Sequence, residues 1–355
     1  MGSSYKWFTT LVWLKLFLML IATTRSAKVP AIIVFGDSSV DAGNNNYVPT
    51  IARSNFEPYG RDFAGGKPTG RFSNGRVTTD FISEELGLRP VVPAYLDPEY
   101  NIKDFAVGVT FASAGTGYDN ATSDVLGVIP LWRELDYYKD YQSRLRTYLG
   151  DKKAIDTIAN ALHVISIGTN DFLENYYAFP PRERRLEYTI EAYQGLLIGI
   201  ARDFITGLHG LGASKISLGG IPPMGCMPLE RAQNLGNGNG CNEVYNVVAM
   251  SFNAKLCDLV MNLNKELPGL QLVFSNPYYF LLRVISSPSS YGFDVSQTAC
   301  CATGTFEMGY ACNEGNPMTC RDADKYVFWD AFHPTQHTNK LVADHIVKNV
   351  LYKLL

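Results

Sequence analysis

Residues 31–45 read AIIVFGDSSVDAGNN, an unbroken apolar run that stops at Gly36 and turns polar. Five apolar residues in a row, rich in β-branched side chains and too few for a helix, predict a strand buried on both faces, the habit of parallel sheets. The pattern recurs outward along the chain. Residues 161–167, ALHVISI, break into Gly168-Thr169-Asn170-Asp171. Residues 215–218 break into Gly219-Gly220, and residues 270–274 form a fourth run. Helical periodicity fills the intervals, over residues 131–149, 183–208, 243–267 and 338–355. The second of these places Ile190, Tyr193, Leu197, Ile200 and Phe204 on one face. Alternating strands and helices predict an α/β chain with a parallel sheet between helical layers. No internal repeat or low-complexity linker interrupts it, so residues 28–355 are expected to form one domain. Such sheets bind ligands beyond the carboxyl ends of their strands. The polar residues that follow each apolar run are therefore where chemistry is expected.

Three such places stand out. The first strand is followed by Gly36-Asp37-Ser38-Ser39, the second run by Gly168-Thr169-Asn170-Asp171, and the last helical segment is preceded by Asp330-Ala331-Phe332-His333-Pro334. A serine hydroxyl is scarcely ionised at neutral pH and needs a base before it becomes a useful nucleophile. Imidazole titrates in the right range, and a carboxylate on its second nitrogen orients it and stabilises the imidazolium. Asp330 and His333, three residues apart on a turn opening a helix, can supply both. Of the five histidines, His163 lies inside an apolar strand and reads as a core residue, and His209 lies near a helix end. His333 and His337 share the H-x-x-x-H spacing of a helical metal pair, but Pro334 stands where the zincin glutamate would be, so no metal and no cofactor are expected. Ser113, in FASAG, resembles a nucleophile elbow without its first glycine and reads as a small residue beside the site. Asp37 is expected to tie down its turn.

Taken together these stretches resemble the plant GDSL-type esterases and lipases, within the SGNH hydrolases, over nearly all of residues 30–350. FGDSSVDAGNNN resembles the family's first block, TFASAGTG at 110–117 its second, GTND its third and DAFHP its fifth; GRFSNGR at 70–76 and KYVFWDAFHPT at 325–335 are typical plant segments. The resemblance implies a flavodoxin-like three-layer α/β/α sandwich around a five-stranded parallel sheet. It implies Ser38 as nucleophile, His333 as base and Asp330 as its partner. It also implies an oxyanion hole from the Ser38 amide, the Gly115 amide and the Asn170 side chain. Two departures are Thr110, where the plant pattern has Asn, and Ala302, where it has Gly in CCGTG.

The ends and the composition add an address. Residues 7–22, WFTTLVWLKLFLMLIA, follow Lys6 and precede TTRSA, the layout of a secretory signal peptide cleaved near Ser26 or Ala27, so that residues 1–27 would be lost. The run is interrupted by Lys15 and is short of the roughly 20 residues that span a bilayer. The 355-residue chain carries 31 basic against 34 acidic residues. Loss of the leader removes three basic residues, leaving a mildly acidic chain with no basic run, which excludes nucleic acid as a partner. Asn120-Ala121-Thr122 is the one glycosylation sequon.

Seven cysteines without a C-x-x-C spacing fit disulfides in an oxidising compartment. Cys226 and Cys241 are expected to close a Gly/Asn-rich loop, worth about 3 kcal/mol. Cys300, Cys301, Cys312 and Cys320 have two open connectivities, and Cys257, inside a helical pattern, is expected to be free and buried. The reading is an extracellular serine esterase of the apoplast or cell wall, acting on a small-molecule or lipid ester, which could be an acetylated sugar or a cutin-type ester. Its rivals are an acyltransferase with the same three residues and a silent wall-binding protein. Six aromatic residues, Tyr47, Tyr59, Tyr118, Tyr176, Tyr177 and Trp329, could line an apolar groove, and most of them are expected to pack instead.

Overall fold

Strand β1 (Ile32–Gly36) is buried along its whole length and sits inside a five-stranded parallel sheet of order β2-β1-β3-β4-β5. Its neighbours are β2 (Gly108–Thr110) on one side and β3 (Leu162–Ser166) on the other, followed by β4 (Lys215–Gly219) and β5 (Gln271–Ser275). The structure is a computed structural model that describes residues 28–178, 183–234, 238 and 240–355. The predicted leader over residues 1–27 lies outside the described residues, and among those described no helix is long and apolar enough to cross a membrane.

The period-2 alternation of β1 builds the layers. Ile33 and Phe35 point to one face and pack with α2 (Leu131–Leu149), α3 (Asp151–Asn160), α4 (Ile190–Gly210) and α5 (Glu243–Glu266). Ile32 and Val34 point to the other and pack with α1 (Thr78–Glu85) and α7 (Gln336–Asn349). Helix α6 (Tyr278–Ser286) lies beside α7. Burying each of these large side chains contributes roughly 1.5–3 kcal/mol. The expected three-layer α/β/α sandwich with a five-stranded parallel sheet is the observed fold.

The four continuous apolar runs all became strands, shifted by about one residue. The helix read over 183–208 is in fact two, Glu183–Glu187 and α4, because the Thr189 side chain accepts a hydrogen bond from the Ala192 amide and starts a new helix. The last helix begins earlier than read, at Gln336, capped in the same way by Thr335, and ends at Asn349. A second, two-stranded parallel sheet of β6 (Val295–Ala299) and β7 (Tyr326–Phe328) leads into the Asp330 turn.

Three disulfides join Cys226 to Cys241, Cys300 to Cys320 and Cys301 to Cys312. Cys257 is the free cysteine, as expected, but it is exposed. On α5 the buried stripe runs through Phe252, Leu256 and Leu259, and Cys257 falls about 100° past Leu256, on the outer side.

Candidate active site

The Ser38 loop starts where β1 ends. Gly36 has φ +137°, and a Cβ there would stand 1.9 Å from the Ser166 carbonyl oxygen, so only glycine lets β1 run this close to β3. The next residues curl at once: the Asp37 carboxylate accepts from the Ser39 amide at 2.9 Å and from its hydroxyl at 2.7 Å. Asp37 thus ties the turn, as read from the sequence, and burial raises its pKa. Ser38 is left at the tip, 6% exposed.

His333 Nε2 lies 2.8 Å from Ser38 Oγ, although 295 residues separate them. Its Nδ1 lies 2.9 and 2.8 Å from the two Asp330 oxygens. Asp330 is fully buried and accepts two further donors on Oδ1, the Phe332 amide at 2.9 Å and the His333 amide at 2.6 Å. The local spacing explains this: a carboxylate can cap the amides two and three residues ahead and meet the ring of the third. On Oδ2 it receives the Tyr59 hydroxyl at 2.6 Å, and that hydroxyl in turn accepts from the Gly309 amide at 2.8 Å. Burial and the Asp330 charge hold Tyr59 well above its usual pKa, so it stays a neutral donor.

The GRFSNGR segment braces the same turn. Phe72 packs on the His333 ring with centroids 4.8 Å apart, Ser73 donates to the Pro334 carbonyl at 3.1 Å, and Asn74 accepts from the Gln336 amide at 2.8 Å. The segment is itself pinned by a buried two-pronged pair, with Arg71 Nε and Nη2 on the two Asp80 oxygens at 2.8 and 2.9 Å.

The remaining predicted residues sit on the neighbouring loops. Gly115 occupies the third position of a turn closed by the Thr116 amide on the Ser113 carbonyl, and its φ of +86° is what a type II turn requires there. Neither its amide nor that of Ser38 has a hydrogen-bond partner among the described residues. Asn170, 1% exposed, donates through Nδ2 to the Thr116 carbonyl at 2.9 Å, which stitches the loop after β3 to the loop after β2. The loop after β2 is stitched to that after β1 by the Ser113 amide on the Gly36 carbonyl and by Asn45 on the Ala114 carbonyl, both at 2.9 Å. Three adjacent strands, β2, β1 and β3, thus converge their C-terminal loops.

Ser113 is fully buried and bonded to Asn45 and the Ile129 amide, a structural serine. His163 is a core residue bonded through Nε2 to the Tyr138 hydroxyl, and burial lowers its pKa to about 4. His337 turns away to the Asp324 carbonyl, and no metal-ligating cluster exists among the described residues. Asn120, the sequon residue, is exposed at the start of a short helix.

Two buried carboxylates beside the site were given no role from the sequence. Glu134, on α2, is fully buried and accepts from the Gly36 amide at 2.9 Å; burial raises its pKa well above the carboxylate range. Asp171 accepts from the Tyr118 and Asp119 amides and the Thr122 hydroxyl behind Asn170, and burial raises it to about 7. Nothing in LWRELDYYKD at 131–140 marks Glu134 out, and Asp171 reads only as the last residue of GTND, with no role of its own. Tyr59 had been expected merely to pack.

A serine hydroxyl, an imidazole and a carboxylate in hydrogen-bonded series, at the strand ends of a parallel α/β sandwich, is the arrangement found in serine acylhydrolases. The chain belongs to the GDSL-like lipase/acylhydrolase family, a family of ester hydrolases, whose model matches residues 32–346. It is similar to three Arabidopsis thaliana proteins. GDSL esterase/lipase At2g04570 is 64% identical over 94% of this chain and 95% of the relative. GDSL esterase/lipase At4g26790 is 59% identical over 91% of each chain, and GDSL esterase/lipase At2g42990 is 57% identical over 93% of this chain and 94% of the relative.

Proposed function

We propose that the chain is a secreted serine esterase in which Ser38, His333 and Asp330 act as a catalytic triad through an acyl-enzyme. The observation that carries the reading is His333, whose two ring nitrogens lie within hydrogen-bond reach of Ser38 Oγ and of Asp330. Ser38 Oγ attacks the ester carbonyl carbon while His333 Nε2 takes its proton. Asp330 holds the ring and its growing positive charge. The tetrahedral intermediate collapses, the carbon–oxygen bond to the alcohol breaks, and His333 returns the proton to the leaving alkoxide. Water then repeats the sequence on the acyl-enzyme, with His333 again as base, and frees the acid and Ser38.

The oxyanion is assigned to the Ser38 and Gly115 amides and to the second N–H of Asn170. Loss of one such donor typically costs about 10²–10³ in kcat. The partner is an ester and no cofactor is required. Secretion rests on the leader-like residues 1–27, three disulfides and an exposed Asn120 suited to glycosylation, with residues 28–355 as the mature domain.

The test is hydrolysis of p-nitrophenyl butyrate by the mature protein and by Ser38→Ala. Removing the nucleophile is expected to lower kcat by about 10⁴-fold or more with an unchanged melting temperature. Wild-type hydrolysis by a folded Ser38→Ala would overturn the assignment.

A further inference from the structure

A cavity of about 160 Å³ opens at Ser38 and His333 and extends beneath the sheet toward α6 and α7. Its helical walls are regular. Pro277, Leu281 and Ile285 line it from the α6 side, and Thr338, Val342 and Ile346 from α7, each set at the i, i+4, i+8 spacing of one helix face. Its sheet wall joins Val164 and Ile165 of β3 to the small residues Ser166, Ser217, Gly219 and Ser275, which leave room where bulkier strand residues would fill it. These hydroxyls do not solicit water. Ser217 and Ser275 bond each other at 2.7 Å, Ser166 bonds Ser39 at 2.8 Å, and Thr338 donates to the Val327 carbonyl at 2.7 Å. The slot is therefore apolar in effect even where its residue names are polar. None of the six aromatic residues singled out from the sequence lines it.

We propose that this slot holds a linear acyl chain of about six to eight carbons, so that the enzyme is a medium-chain acyl esterase. The proposal rests on the triad reading above, since it places the acyl carbonyl at Ser38. The slot takes the acyl rather than the alcohol part for a chemical reason. The alcohol leaves and water must follow it to the carbonyl carbon, whereas the acyl group stays through both half-reactions and can remain in a dry channel. Two measures set the length. Eight helical steps span about 12 Å, which an extended zigzag chain of about ten carbons covers, each bond of about 1.5 Å advancing it by about 1.25 Å. The volume is close to that of cavities of about 150 Å³ that hold one benzene ring, which lowers the bound to six to eight.

The experiment is kcat/KM of the mature protein on p-nitrophenyl acetate, butyrate, hexanoate, octanoate and dodecanoate, and on the pair ethyl octanoate and octyl acetate. Each buried methylene is expected to raise kcat/KM roughly fourfold up to hexanoate or octanoate, with a fall at dodecanoate and with ethyl octanoate preferred at least tenfold over octyl acetate. Val342→Phe is expected to lower the octanoate-to-acetate ratio at least tenfold. Ile346→Ala, which makes room instead of filling it, is expected to move the optimum about two carbons longer. A flat or falling profile from acetate to octanoate, a preference for octyl acetate, or an unmoved ratio in both folded variants would overturn the slot. Those outcomes leave the Ser38 dependence of turnover intact, whereas loss of that dependence would overturn the triad itself.

Discussion

The two halves of the site are built by different means. Ser38 stands on regular structure: a buried central strand, a turn fixed within two residues, and Glu134 reaching from α2 to the last strand amide. Asp330 and His333 stand on irregular structure: a two-stranded sheet, the GRFSNGR segment and a segment closed by two disulfides. The first half is a consequence of folding the sheet. The second is assembled by long-range clamps, and it should be the half that fails first.

That contrast can be broken most severely at sulfur. The double variant Cys301→Ser/Cys312→Ser is expected to lose roughly 2–4 kcal/mol of local stability. Esterase activity should then disappear on heating before the helical circular dichroism signal does. Coincident transitions in the variant would mean that both halves belong to one cooperative unit. Tyr59→Phe attacks the same half more gently. It removes one of the two hydrogen bonds on Asp330 Oδ2, a charged-group bond of about 1.5–3 kcal/mol, and kcat should fall about tenfold or more with KM little changed. A matched rise in KM, with kcat kept, would argue against a positioning role.

The Ser38 half is sharpened by pH. Burial raises Asp41 to about 6 and Asp171 to about 7. The folded chain therefore binds these protons more tightly than the unfolded chain. The stability they contribute is complete below about 3.8, their ordinary value, and is lost as pH climbs through 6 and 7. Thermal melting should accordingly fall between pH 4 and 8, and Asp171→Asn should flatten that slope; an equally steep slope in the variant would remove Asp171 from the account. The smallest expected effect lies back in the clamped half. Ala302 has φ +58°, in the left-handed region that favours glycine, at the position where the plant pattern carries Gly. Ala302→Gly should stabilise by about 0.5–1 kcal/mol once the extra freedom of the unfolded chain is subtracted, a rise of about 1–2 °C in Tm.

The same division explains what could be read in advance. Strands β1, β3, β4 and β5 announce themselves as continuous apolar runs, and the layer architecture follows from them. Ser38, Asn170, Asp330 and His333 are legible because each lies within a few residues of such a run or of a helix start. Strand β2 is three residues long and has no period to detect. The partners of the site are silent for another reason: Tyr59 meets Asp330 across 271 residues and Glu134 meets Gly36 across 98. No local pattern marks a tyrosine whose hydroxyl will cap a carboxylate. Cys257 shows the limit within one helix, where a single step of 100° separates core from solvent.

The distance along the chain between Ser38 and His333 also sets a clock. At about 5–20 residues per second, the 295 residues between them take about 15–60 s to synthesise. Throughout that interval Ser38 exists without its His333 partner. A chain cut short before Asp330 carries a complete GDSS turn without the imidazole that lies 2.8 Å from Ser38 Oγ in the finished fold. Any activity that needs the three residues together therefore waits until Asp330 and His333 have been made.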